Sequence, residues 1–216
     1  MFLGHYAIGF ATKKAEPKVS LGTYFMAAIF LDLLWPLFLL LGLEHVKIEV
    51  GNTVVTPLDF YDYPISHSLL MAVVWSLVFG GIYFLMKKNK KASLFLGLCV
   101  FSHWILDFIV HRPDLPLSPG VNVFLGLGIW NSIPATLIIE LLFFAGGIYL
   151  YVKNTKAKNK LGFFAMWGFV VLLLAIYVSN IYSPPPPSLN ALEYAALGQW
   201  LFIAWGYWID KHRDIR

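Results

Sequence analysis

The sequence predicts an all-α, polytopic membrane protein: a bundle of about six transmembrane helices with a short N-terminal re-entrant or half-membrane helix. Three observations carry this. Of the 216 residues, 59% are hydrophobic and only 13% are charged, and the mean hydropathy is +0.70, well outside the range of soluble globular domains. The apolar residues fall in runs of about 20, the length a helix needs to cross a hydrocarbon core of roughly 30 Å. Irregular chain or open strands at that depth would leave backbone groups unpaired, so such runs read as helices. No fixed-period repeat and no long low-complexity segment divides the chain, so one integral membrane domain is expected over 1–216.

Taken in order, Phe2 to Ala11 is apolar but too short to cross, and reads as a retained half-membrane helix packed on the bundle. The spans follow at Ser20 to Leu43, His67 to Met86, Ala92 to His111, Ser132 to Val152, Leu161 to Tyr182 and Asn190 to Asp210. All but Lys47 and Arg112 of the 16 lysines and arginines fall in four clusters: before the first span and after the second, fourth and sixth. That side is cytoplasmic by the positive-inside rule, with both termini inside and external loops at Glu44 to Ser66, Arg112 to Asn131 and Ser183 to Ser188. The basic pI of about 9.1 follows from this topology, so no nucleic-acid partner is expected. Tyr61, Tyr63, Trp130, Trp200 and Trp208 fit an interfacial belt. The single cysteine, Cys99, lies in an apolar run and reads as packing.

Polar residues inside the spans carry the functional signal. Counting about 1.5 Å per residue from the lysine clusters places Asp32, His103, Asp107 and Glu140 at one level, roughly 18 to 24 Å deep, with His67 at roughly 30 Å. His5 can reach the same level from the short first helix. Ionisable groups from separate segments that meet inside a membrane mark a functional site. His103 and Asp107 are four apart and share a helix face, and His111 continues the stripe. Imidazole nitrogens and carboxylate oxygens from several helices form an N/O donor set suited to a divalent metal, zinc first, with manganese or iron as alternatives. The buried His–Asp pair also has a purely structural reading. Glu140 is either an interhelical hydrogen-bonding group or a general base, and Ser68 is a bonding hydroxyl or a nucleophile.

The order "GHYAIGF", an aspartate in the first full span, "ISHSLL" and "SHWILD" resembles the YdjM-like family, bacterial inner-membrane proteins grouped as metal-dependent hydrolases. The resemblance covers about residues 1–115, the last three spans adding only hydrophobicity. More distantly, the same order is similar to the zinc-dependent phospholipase C and single-strand nuclease superfamily. The resemblance implies His5, Asp32, His67, His103 and Asp107 as metal-site positions, in a protein of the inner membrane. The family pattern has a proline and further aspartates around the first aspartate, whereas this chain reads "FLDLLWP". Asp32 is therefore either a ligand or the group that orients a histidine. One ion is expected, with a second, weakly held ion involving His111 as the alternative.

An open metal site lowers the pKa of water toward about 7 and generates a nucleophile, with Asp32 or Glu140 available to take its proton. The function expected is hydrolysis of an ester or phosphoester, the substrate being a membrane lipid head group or a small ester. Two alternatives stay open. Asp32, Asp107 and Glu140 could relay protons or bind an ion in a transporter, or a metal could be purely structural.

Overall fold

A computed structural model describes all residues, 1–216, and is mostly helical. Helix α1 (Leu3–Thr12) is followed by α2 (Leu21–Ala28) and α3 (Phe30–Leu40). These last two form one run bent by 57° at Ile29. Strands β1 (His45–Ile48) and β2 (Leu58–Asp62) form an antiparallel hairpin in which His45 faces Asp62. A single turn, α4 (Pro64–His67), precedes α5 (Leu69–Lys87) and α6 (Lys90–Val110). The pair β3 (Leu115–Pro116) and β4 (Phe124–Leu125) and a 3-10 turn at Ile129–Asn131 lead into α7 (Ile133–Asn154). Then come β5 (Thr155–Ala157), α8 (Lys160–Tyr182), α9 (Leu189–Leu197), α10 (Gln199–Lys211) and β6 (Arg213–Ile215), which pairs antiparallel with β5.

Local chemistry sets the helix starts. The side chains of Ser68, Asn89, Ser132, Asn159 and Ser188 each accept a backbone N–H of the first turn of α5, α6, α7, α8 and α9, respectively, which satisfies donors that a helix cannot bond internally. Asn89 and Asn159 sit within lysine clusters, so the same short segments turn the chain and supply its basic charge.

Helices α5, α6, α7 and α8 are each long and apolar enough to cross a membrane, and the bent α2–α3 pair makes a fifth candidate. Six single-helix spans were expected, and the run from Asn190 to Asp210 corrects that count. It is divided into α9 and α10, of 9 and 13 residues, each too short to cross alone. The division falls at Gly198, and the polar Asn190, Glu193 and Gln199 dilute the apolar run around it. The expected Phe2 to Ala11 helix forms as α1, and the bend in α2–α3 was not anticipated. Leu77, Leu85, Leu142, Phe164, Val171 and Leu201 stand exposed on the outer faces, a surface that hydrocarbon accommodates and water does not.

The core lies in two main clusters that share α2. Phe25 faces one with Leu3, Phe10, Phe144 and Phe169, while its neighbour Tyr24 faces the other with Leu31, Trp35, Leu96 and Val100. Helix α1 lies close against α7 because Gly147 leaves room for it: a Cβ there would stand 2.5 Å from the Ala7 carbonyl oxygen. At Gly146 the same position is open. Gly147→Leu is therefore expected to destabilise the fold by about 1–3 kcal/mol through overpacking, with Gly146→Ala neutral. Loss of the monodisperse peak on heating the detergent-solubilised variants checks this, and equal melting of the two would contradict the close α1–α7 approach.

Candidate functional site

Four elements bring three imidazoles and two carboxylates together. His5 comes from the first turn of α1, Asp32 from the first turn of α3, His67 from the end of α4, and His103 and Asp107 from one face of α6. Two overlapping triads, His5–His103–Asp107 and Asp32–His67–His103, each hold donor atoms within 4.8 Å of one another. His103 belongs to both. Its Nε2 lies 3.1 Å from Asp107 Oδ2 and 3.6 Å from Asp32 Oδ1. His67 Nε2 lies 3.5 Å from Asp32 Oδ1 and 3.9 Å from Asp107 Oδ2. His5 Nε2 meets Asp107 Oδ1 at 3.1 Å, and the His5 ring stacks on His103 with centroids 3.6 Å apart and planes at 5°. The backbone nitrogen of Met1 also donates to Asp107 Oδ1.

The surroundings fix which nitrogen faces inward. His103 Nδ1 lies 2.9 Å from the carbonyl oxygen of Ala28, so it carries the proton and donates it. Ala28 ends α2, where carbonyls lose their intrahelical partners. The break before Asp32 thus also supplies the acceptor that orients His103. For His67, the Ser66 hydroxyl donates to Glu44 Oε2 at 2.6 Å and accepts from His67 Nδ1 at 2.7 Å. Glu44 Oε1 accepts in addition from the Ile65 and Ser66 amides, each at 2.7 Å. Burial holds the Glu44 carboxyl above its usual range, opposed by these hydrogen bonds from Ser66 and Ile65. Both histidines therefore turn an Nε2 lone pair toward the carboxylates. His103 Nε2, despite its short distance to Asp107, lacks hydrogen-bond geometry, and His5 Nδ1 is also buried without a partner.

A cavity of about 140 Å³ opens above this cluster. Asp32, His67 and Asp107 form its polar floor, and Trp35, Phe60, Tyr63, His111 and Trp130 form its walls. Asp32 is 28% exposed while the other four side chains are 5% or less, so Asp32 presents the most surface to the cavity.

Two expected residues lie elsewhere. His111 joins neither triad. Helix α6 ends at Val110, and His111 has extended backbone (φ −62°, ψ 146°), so the 103–107–111 stripe stops one residue short. Its Nδ1 meets Asp114 Oδ1 at 2.9 Å, and its ring packs 4.2 Å from that of Trp130. Glu140 accepts from the Phe2 amide at 2.9 Å and the Gly4 amide at 3.0 Å. It binds the open N-terminus of α1, where a carboxylate meets unpaired N–H groups and the positive end of the helix dipole. Both oxygens are used there, away from the cluster. Ser68 caps α5 through Met71 N, the hydroxyl role that was set beside the nucleophile reading.

Glu44 and Ser66 escaped the sequence reading. The available signal was a lone acidic residue directly after an apolar run and a serine directly before His67, but only the fold brings them together across 22 positions.

No protein-family model, no curated protein and no solved structure matches the chain.

Glu44→Gln puts an amide NH₂ where Ser66 now donates, so the serine hydroxyl must turn to donate to His67 Nδ1 and the proton must move to Nε2. The expected readout is an exchange of the His67 imidazole 15N shifts with the fold retained. Glu44→Ala instead strands the Ser66 hydroxyl and two amides, at about 1–3 kcal/mol for each buried donor. An unchanged His67 spectrum in Glu44→Gln would show that the glutamate does not set the tautomer.

Proposed function

We propose that the chain is a multi-pass inner-membrane protein that hydrolyses an ester or phosphoester of an amphiphilic substrate, using a divalent ion held at the His–Asp cluster. The observation that carries this reading is the buried convergence of three imidazoles and two carboxylates beneath a cavity, with two ring nitrogens left without hydrogen-bond partners. Asp107 is buried and Asp32 partly so, and carboxylates in such surroundings need compensating positive charge, which the Met1 nitrogen supplies on one side of Asp107 only. The donor set is all nitrogen and oxygen, which suits zinc first and also manganese or iron.

His5, His67, His103 and Asp107 would hold the ion, with Asp32 as a further ligand or as the group between ion and cavity. Such an ion supplies Lewis acidity and a water of lowered pKa. The chain's own residues do the rest. Ala28, Ser66 and Glu44 keep Nε2 of His103 and His67 available as donors to the ion. Asp32, the exposed member, is placed to accept a proton from water in the cavity. Glu140 holds α1, and with it His5, at the depth of the cluster. Trp35, Phe60 and Trp130 limit the water that reaches the floor.

For topology we propose that α9 and α10 make one broken crossing, giving six with the termini cytoplasmic. The β5–β6 pairing supports this, since the segment joining α7 to α8 meets the strand after α10 at one end of the bundle. The half-buried Lys13–Asp210 ion pair at 2.7 Å lies at the C-terminal ends of α1 and α10. The prolines Pro184–Pro187 share a cavity with the 55–58 loop at the opposite end. The distribution of lysines then assigns the first end to the cytoplasm.

The bend in α2–α3, with Asp32 just beyond it and Pro36 in the following turn, also suits a transporter. Ion-dependent uptake into proteoliposomes that Asp107→Asn abolishes, without any hydrolysis, would favour that second reading.

Detergent-purified protein is expected to carry near-stoichiometric zinc, manganese or iron by mass spectrometry. The His103→Ala, Asp107→Ala double variant, matched for folding, should lose it, and Asp32→Asn should lower phosphoester or ester turnover by about 100-fold or more if Asp32 takes the proton. A protein without metal, whose stability ignores chelators, would remove the hydrolase reading.

A further inference from the structure

The cavity over the cluster is small. At about 140 Å³ it falls below the roughly 300–1,000 Å³ typical of small-molecule sites, enough for a compact polar head and no more. A second cavity of about 390 Å³ adjoins it, and Phe2, Phe60 and Trp130 line both. The rest of its wall comes from the 55–58 loop, Tyr177 and Ile181 of α8, Pro184–Pro187 and Leu192 of α9.

The chemistry of the two chambers differs. Every charged group of the small one lies on its floor, within the cluster. Glu140 is the only charged residue lining the larger one, and both its oxygens are taken by the Phe2 and Gly4 amides. The hydroxyls of Ser179 and Ser183 are bonded to one another at 2.9 Å. Four successive prolines present ring faces and no amide donor. What remains to meet a ligand is mainly aromatic and aliphatic surface, with the unpartnered Tyr177 hydroxyl and the Asn180 amide as its polar points, and a cavity at the low end of the usual size range has room for one chain and not for two.

From this we infer that the larger cavity seats the single apolar chain of the substrate, so that the molecule served by this site is a one-chain amphiphile whose polar head lies over Asp32, His67 and Asp107. The assignment of the head rests on the hydrolase reading, whereas the chain site rests on the cavity itself. Phe60 and Trp130 then act as the neck between head and chain, and specificity for chain number is set by Leu192, Ile181 and the proline run.

The test is binding of methylphosphonate, dodecylphosphonate and didodecyl phosphate to the purified full-length protein in digitonin, a detergent without a linear alkyl chain. Dodecylphosphonate is expected to bind at least about tenfold more tightly than methylphosphonate, given the apolar area it buries, and didodecyl phosphate should gain nothing over methylphosphonate. Leu192→Trp, which fills the larger chamber from a wall that the smaller one does not share, should abolish the gain and leave methylphosphonate binding unchanged. Ile181→Phe repeats the experiment if the tryptophan variant does not fold, and comparing the same ligand between wild type and variant in one detergent cancels partitioning into micelles. Binding indifferent to chain length, or a chain-length gain that survives both filled variants, overturns the inference, and equal gains for one and two chains overturn its single-chain part. Chain-dependent binding without turnover of any ester upholds the chain site and removes the hydrolase, while turnover with no chain-length effect on binding does the reverse.

Discussion

The Asp107 carboxylate is buried between helices, and the arrangement around it follows from the need to compensate it. An ionised carboxylate withdrawn from water costs several kcal/mol unless charge or hydrogen bonds replace its hydration. Its neighbours here are the Met1 nitrogen, His103 one turn away, His5 from α1 and, more distantly, His67 from α4. Bringing His5 to that depth requires a short helix inserted among longer ones, and the exposed N–H groups at its start require Glu140 on α7. One buried charge on α6 thus explains a second on α7.

Helix breaks serve the same centre. The bend at Ile29 ends α2 at Ala28, whose carbonyl orients His103, and starts α3 so that Asp32 falls in its first turn. The break at Ser68 separates α4 from α5 and lets His67 face the cluster while Ser66 reaches Glu44. His5 has no such director for its Nδ1. Two of the three imidazoles are therefore locked in one tautomer by the protein, and the third is held by stacking and a single contact to Asp107.

The β1–β2 hairpin is part of the site. Strand β2 carries Phe60 and Asp59; Asp59 pairs with Arg112, which also meets Asp114 at 3.3 Å. Asp114 in turn holds His111 and accepts from the Tyr63 hydroxyl at 3.2 Å. Burial keeps the Tyr63 phenol well above its usual pKa, so it stays a neutral donor. The loop charges anchor the aromatic walls of the cavity, and the three aromatic side chains between the two chambers depend on this anchorage on one side and on α1 on the other.

The sequence by itself determined the long helices and the short first helix. Each of these is a local matter of apolar run length and of which residues follow. It also singled out His5, Asp32, His67, His103 and Asp107, because polar groups in apolar runs stand out and depth can be counted along a helix. It counted His111 into the metal stripe and left Glu140 open between an interhelical bonding group and a general base, and both outcomes depend on where α6 stops and on which helix end faces α7. It missed Glu44 and Ser66, which are ordinary loop residues until the chain folds. Only the tertiary structure decided these points and the division of the last apolar run. Which nitrogen of an imidazole is free, which carboxylate is already spent, and how two cavities share a wall are set by contacts between segments far apart in the chain, and residue spacing carries no record of them.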